Sequence, residues 1–202
     1  MKKVFIAFAS LVLVSFTQQA GPITEKEKTD AAKFLSETED GVLASVKGLS
    51  EAQLNFKPAP DKWSVEDCMK HIAVTEASLW QMTNKAISDP ANPEKRSEIK
   101  MSDADVMKNI ESRANKVKTM PPFEPQNTSY KSMDEAIASF KENRGKLIDY
   151  IKGTNADLRN HVLNMGFASF DAYQMILFIG AHSNRHMQQI NEVKADPNFP
   201  KN

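Results

Sequence analysis

The stretch Ala172–Val193, AYQMILFIGAHSNRHMQQINEV, decides how the rest of the chain is read. Apolar residues recur at Ala172, Met175, Ile176, Ile179, Ile190 and Val193, a helical period that turns one face inward along the whole segment. Two histidines fall on that face. His182 lies three residues after Ile179, and His186 lies four before Ile190, so both imidazoles project inward about one turn apart. Imidazoles spaced in this way can hold one divalent cation, and a third ligand then has to come from another segment.

Outward from this helix, the chain reads as a succession of helices with marked starts. Thr24 with Glu27, Ser64 with Asp67, Ser102 with Asp105 and Ser132 with Glu135 have the capping-box spacing, in which the two side chains satisfy each other's free backbone amides. The pattern predicts helices over 25–47, 65–88, 103–119 and 133–152, with Gly48 and Gly153 as C-terminal stops. The last helix is expected to start at Ser169 and run to about Val193, before Pro197.

The segments between them are breakers. GLSEAQLNFKPAPDKW, with Pro58 and Pro60, predicts a short helical turn followed by extended chain, and DPANPEKRSEIK reads as a polar loop. PPFEPQNTSY has prolines at 121, 122 and 125 and is not expected to be helical. No alternating apolar run of strand length appears, so the expected fold class is all-α. Segments 25–47, 65–88, 133–152 and 170–193 are long and striped, whereas 103–119 has a thin stripe of Val106, Ile110 and Val117. The reading is a four-helix bundle with one accessory helix in a long crossover between bundle helices 2 and 3. A crossover of roughly 43 residues allows those two helices to run parallel.

A chain of 202 residues with 41% hydrophobic content supports one domain with a real core. Its start, MKKVFIAFASLVLVSFTQQA, has a two-lysine head, an apolar run from Val4 to Phe16 and a polar end, the pattern of a secretory signal peptide over residues 1–20. Residues 21–202 then form the mature domain, expected to be secreted or periplasmic, without stable membrane insertion. The sequence holds 26 basic and 26 acidic residues, and removal of Lys2 and Lys3 leaves a net charge of −2. A near-neutral surface argues against nucleic acid or anionic lipid as partner and leaves a small-molecule substrate. The single cysteine, Cys68, cannot form an internal disulfide and reads as a small core residue.

Of the four histidines, His71 and His161 remain for the third ligand position. On 65–88 the stripe is Cys68, Ile72, Thr75, Leu79, Met82 and Ala86, and His71 occupies its edge in line with Cys68, Thr75 and Ser78. A helix presenting His71 beside His182 and His186 would form a three-imidazole site with a fourth position open for water or substrate. His161, in TNADLRNHVLNMGF, reads as a surface or turn histidine. On 133–152, Arg144 falls in a row with Met133, Ile137, Phe140, Leu147 and Ile151, so it must snorkel, pair with a carboxylate, or face a polar pocket. Glu76 is a candidate partner; it is rotated well away from His71, which leaves it an ion-pair or supporting role rather than ligation.

FKPAPDKWSVEDCMKHIAVTE followed about a hundred residues on by AHSNRHMQQI resembles the DinB-like family of metalloenzymes, in particular its signal-peptide-bearing members. Trp63, Ser64, His71, His182, Arg185 and His186 fall where the family pattern has them, and the similarity runs from Thr24 through VKADPNFP. The resemblance implies a four-helix bundle in which His71, His182 and His186 hold a divalent metal, most often zinc or nickel. It also implies relatives that act as thiol-dependent transferases or isomerases, and relatives that are dimers, so a homodimer is one assembly it allows. Low-molecular-weight thiols are scarce and oxidised outside the cell, whereas hydrolysis by metal-activated water needs no such cosubstrate. Three readings follow: a metal-dependent hydrolase or transferase, a non-catalytic module that uses the metal to hold a small ligand, and a structural bundle without an ion.

Overall fold

The computed structural model of the protein describes residues 22–201, and the expected signal peptide lies outside the described residues. Four long helices form the bundle: α1 (Glu25–Val46), α3 (Val65–Ser88), α5 (Met133–Gly153) and α6 (Ala172–Lys194). Two short ones, α2 (Glu51–Asn55) and α4 (Asp103–Glu111), lie in the connections. The helix starts follow from the caps. Reciprocal boxes close at Thr24 and Glu27, Ser50 and Gln53, Ser64 and Asp67, and Ser102 and Asp105. At Ser132 only half the box forms, because the Glu135 carboxylate accepts from the Lys131 amide instead.

In the ring of helices α1 packs against α5 and α6, and α3 packs against the same two. The core divides into two layers that give the chain directions. One layer joins the end of α1 (Val42, Val46), the start of α3 (Val65, Cys68, Met69, Ile72), the start of α5 (Met133, Ala136, Phe140) and the end of α6 (Ile190, Val193). The other joins the start of α1 (Ala31, Ala32, Leu35), Leu79 of α3, the end of α5 (Leu147, Ile148, Ile151) and the start of α6 (Ala172, Met175, Ile176). Helices α3 and α5 therefore run parallel, as the long crossover allows, and opposite to α1 and α6. Gly180 sets the closeness of α1 and α6, since a Cβ there would meet the Phe34 ring at 2.7 Å and the Leu35 side chain at 3.3 Å.

Several expectations are corrected. The helix predicted over 103–119 stops at Glu111, and Val117 is 77% exposed. Tertiary bonds take over from the helical ladder there. The Arg113 side chain reaches across to Glu192 on α6, and the Asn115 carbonyl accepts from Arg185. The fold also contains a hairpin, β1 (Val162–Asn164) with β2 (Ser169–Asp171), turned through Gly166 at φ +83°. Its strands are three residues each, too short to show an alternation in the sequence. Asn92 of the crossover holds Val162 at both its amide and its carbonyl. Ser169 is consequently extended, and α6 starts at Ala172 under an Asp171 cap that accepts from Gln174. Gly153 ends α5 without left-handed backbone, whereas Gly48, at φ +72°, does terminate α1. The proline segment contains single 3₁₀ turns at Pro121–Phe123 and Pro125–Asn127, with proline at their first positions where no amide is missed.

His161 is not a surface residue. It is 9% exposed, its Nδ1–H donates to the Ala86 carbonyl in the last turn of α3, and its own carbonyl accepts from Ala172 at the start of α6. Ala86 lies 15 residues along α3 from His71, which at 1.5 Å per residue is roughly 22 Å away. His161 is thus a joint between helices at the opposite end of the bundle. Cys68 is wholly buried in the core, and burial pushes its thiol far above the ordinary range. No helix among the described residues is long and apolar enough to cross a membrane.

Candidate metal centre

The seventh residue of α3 and the eleventh and fifteenth of α6 meet where these helices pack. One ring nitrogen from each of His71, His182 and His186 lies within 4.8 Å of the others. The Nε2 atoms of His71 and His182 are 3.3 Å apart. His71 is 3% and His186 7% exposed, and His182 is partly buried.

The outer nitrogen of each ring faces an acceptor. His71 Nδ1–H donates to the Phe123 carbonyl at 2.7 Å, and His186 Nδ1–H donates to Gln189 Oε1 at 3.0 Å. His182 Nδ1 lies 3.4 Å from the Thr75 hydroxyl oxygen, whose own proton is committed to the His71 carbonyl at 2.6 Å. The acceptors fix two tautomers: at His71 and His186 the proton sits on Nδ1 and Nε2 carries a lone pair, and the Thr75 oxygen offers His182 the same arrangement. Burial holds His71 below, and His182 and His186 well below, the ordinary imidazole range, with the neighbouring charges adding to the effect at the latter two. Three neutral rings thus converge on one point.

That arrangement fits a cation. Two nitrogens each about 2.0–2.1 Å from a common tetrahedral ion are separated by about 3.3 Å, which matches the His71 to His182 spacing. With both protons on Nδ1, the facing lone pairs repel unless a positive centre lies between them. Backbone or side-chain acceptors behind every ligand are the arrangement that fixes imidazole orientation in metal sites. Aromatic rings wall the site: Trp63 stacks on His186 at 5.8 Å and tilts against His71 at 4.8 Å, and Phe178 stacks on His182 at 6.2 Å.

Glu76 and Arg144 stand apart from the imidazoles as a closed ion pair. Arg144 donates from Nε and Nη2 to both Glu76 oxygens, at 2.6 and 2.8 Å, from Nη1 to Thr38 and the Leu35 carbonyl, and from Nη2 to Ser183. All five guanidinium protons are used, and neither side chain is more than 2% exposed. Burial pushes the Glu76 carboxyl up, and the Arg144 charge pulls against it. The pair joins α1, α3, α5 and α6, and Ser183 is the residue next to His182. Of the outcomes open to Arg144 from the sequence, pairing with a carboxylate is the one found.

Three supports of the site were not singled out by the sequence. Gln189, three residues after His186, was within reach of an i, i+3 reading. The Phe123 carbonyl comes from 52 residues away, and a backbone acceptor leaves no trace in residue type. Arg113 donates to the same Gln189 oxygen, at 3.4 Å, from a segment read as helix.

Fold and site together define a four-helix-bundle protein with a buried three-histidine cluster. The match of the DinB superfamily model to residues 35–190 shows that the chain belongs to that superfamily. It is 26% identical over 151 residues to the uncharacterized protein YuaE of Bacillus subtilis (strain 168), covering 74% of this chain and 88% of that protein. Among solved structures it is similar to YfiT from Bacillus subtilis, with a TM-score of 0.58 and 14% identity over 85% of this chain and 88% of that one. YfiT is described as a probable metal-dependent hydrolase with an unusual four-helix bundle topology. At that identity the likeness carries the fold, including its four-helix bundle.

Proposed function

We propose that the protein is a metal-dependent hydrolase of small molecules, with His71, His182 and His186 as the ligands of a divalent ion, zinc or nickel. The observation that carries this reading is the convergence of three neutral imidazoles, one nitrogen of each within 4.8 Å of the others, with the Nδ1–H groups of His71 and His186 engaged elsewhere and the Thr75 oxygen beside that of His182. When bound, such an ion supplies Lewis-acid polarisation of a substrate oxygen and makes water nucleophilic near neutral pH. The three protein ligands leave room for a fourth, the condition that separates reactive from closed structural sites. The chain's own contribution is to hold the ring tautomers through Phe123, Thr75 and Gln189, and to limit water with Trp63 and Phe178. The description of YfiT supports the reaction class.

The signal-like N-terminus supports action in a secreted or periplasmic setting, which favours hydrolysis over thiol transfer because extracellular thiols are scarce. The test is a screen of carboxylic esters, amides and phosphate esters with zinc- or nickel-loaded, untagged protein, alongside thiol-plus-electrophile pairs. Hydrolysis abolished in His182→Ala supports the reading. Activity that survives this substitution, or turnover only with added thiol, contradicts it.

A further inference from the structure

Three arginines are buried among the described residues, and two are fully answered by acids. Arg144 holds Glu76, and Arg159 holds Glu27, Asp103 and Asp171. The third, Arg185, is 8% exposed and pairs with no carboxylate among the described residues. Its one hydrogen bond among the described residues runs from Nη2 to the Asn115 carbonyl at 2.7 Å. A buried guanidinium without a counterion is costly, and a neutral carbonyl compensates little of its charge.

Its position gives that cost a use. Arg185 lies on α6 in the turn between His182 and His186, on the flank facing the segment after α4. Its cationic neighbour Arg113 is already compensated, being bidentate with Glu192. The Glu192 carboxylate, an acid within electrostatic reach of Arg185, gives both its oxygens to Arg113, so the Arg185 guanidinium has no acid of its own among the described residues.

We propose that Arg185 binds an anionic oxygen group of the substrate, a carboxylate or a phosphoryl group placed near the bond that reacts at the three-histidine centre. The forked guanidinium matches either group bidentately. This narrows the hydrolase reading to acidic small molecules and rests on it for the word substrate. Anion binding at Arg185 itself does not require the metal.

The experiment is calorimetric titration of succinate and of its neutral counterpart succinamide into wild-type protein, both metal-free and zinc-loaded. Succinate is expected to bind at least tenfold more tightly than succinamide in both forms, and Arg185→Gln to weaken succinate at least tenfold. If Arg185→Gln melts below the assay temperature, Arg185→Lys replaces it, with an expected loss of threefold or more. Wild type that does not distinguish the two probes, or a variant that binds succinate as tightly as wild type, overturns the proposal. Failure of the protein to take up zinc contradicts the metal reading instead and leaves the metal-free titration to decide the role of Arg185.

Discussion

The Nε2 atoms of His71 and His182 lie 3.3 Å apart across 111 residues of sequence, each ring having turned its Nδ1 away from the other. Neither orientation is set by the partner ring. His71 is aimed by the Phe123 carbonyl of the crossover, and His182 by Thr75, one turn along α3 from His71. The bundle thus builds a place of concentrated lone-pair density before any ion arrives, and the predictions below concern what holds it in place.

Gln189 is the only side chain among the described residues that hydrogen-bonds His186, and Arg113 steadies it. Gln189→Leu should weaken metal affinity by about 10-fold, at the low end for loss of such a support. Gln189→Glu, which keeps an acceptor, should retain most of it. Competition against a chromophoric chelator measures both.

Breaking the Glu76–Arg144 pair from one side leaves a buried charge and costs about 3–5 kcal/mol. Glu76→Leu and Arg144→Met should therefore each lower urea-unfolding stability by that amount. The double variant should be more stable than either single one, because the uncompensated charge is gone. Equal additive losses in the double variant would show that the pair is not coupled.

Glu27 gives the fold a pH dependence of definite sign. Burial pushes its carboxyl up, but bonds from the Thr24 amide and hydroxyl and from Arg159 outweigh that and hold it below its ordinary value of 4.5. A folded-state value below the unfolded one contributes stability that is complete above the unfolded value and is lost as pH falls through the folded one. The stability difference between wild type and Glu27→Gln should be largest near pH 7 and shrink below about pH 4.5. Urea melts at pH 7 and in the acid range measure it.

Much of this was legible in the sequence because local rules carried it. The capping boxes place four helix starts to the residue, and the stripes on α3, α5 and α6 put His71, Arg144, His182 and His186 on inward or edge positions. The misreadings occur where distant contacts overrule local preference. Helix α4 stops when Arg113 and Asn115 find partners on α6, and the hairpin exists because Asn92 and Gly166 hold two three-residue strands together. His161 looked peripheral because its acceptor, a carbonyl of α3, has no sequence signature. The unanswered charge of Arg185 was equally hidden, since residue order shows a charge but not the missing partner.

The central claim is that His71, His182 and His186 share one divalent ion. The direct measurement is elemental analysis of untagged protein after reloading with zinc or nickel and exhaustive dialysis, beside His71→Ala and His182→Ala. The account predicts close to one ion per wild-type chain, with either substitution removing most of it. Less than a tenth of an equivalent in reloaded wild type, or full occupancy in both variants, would contradict it.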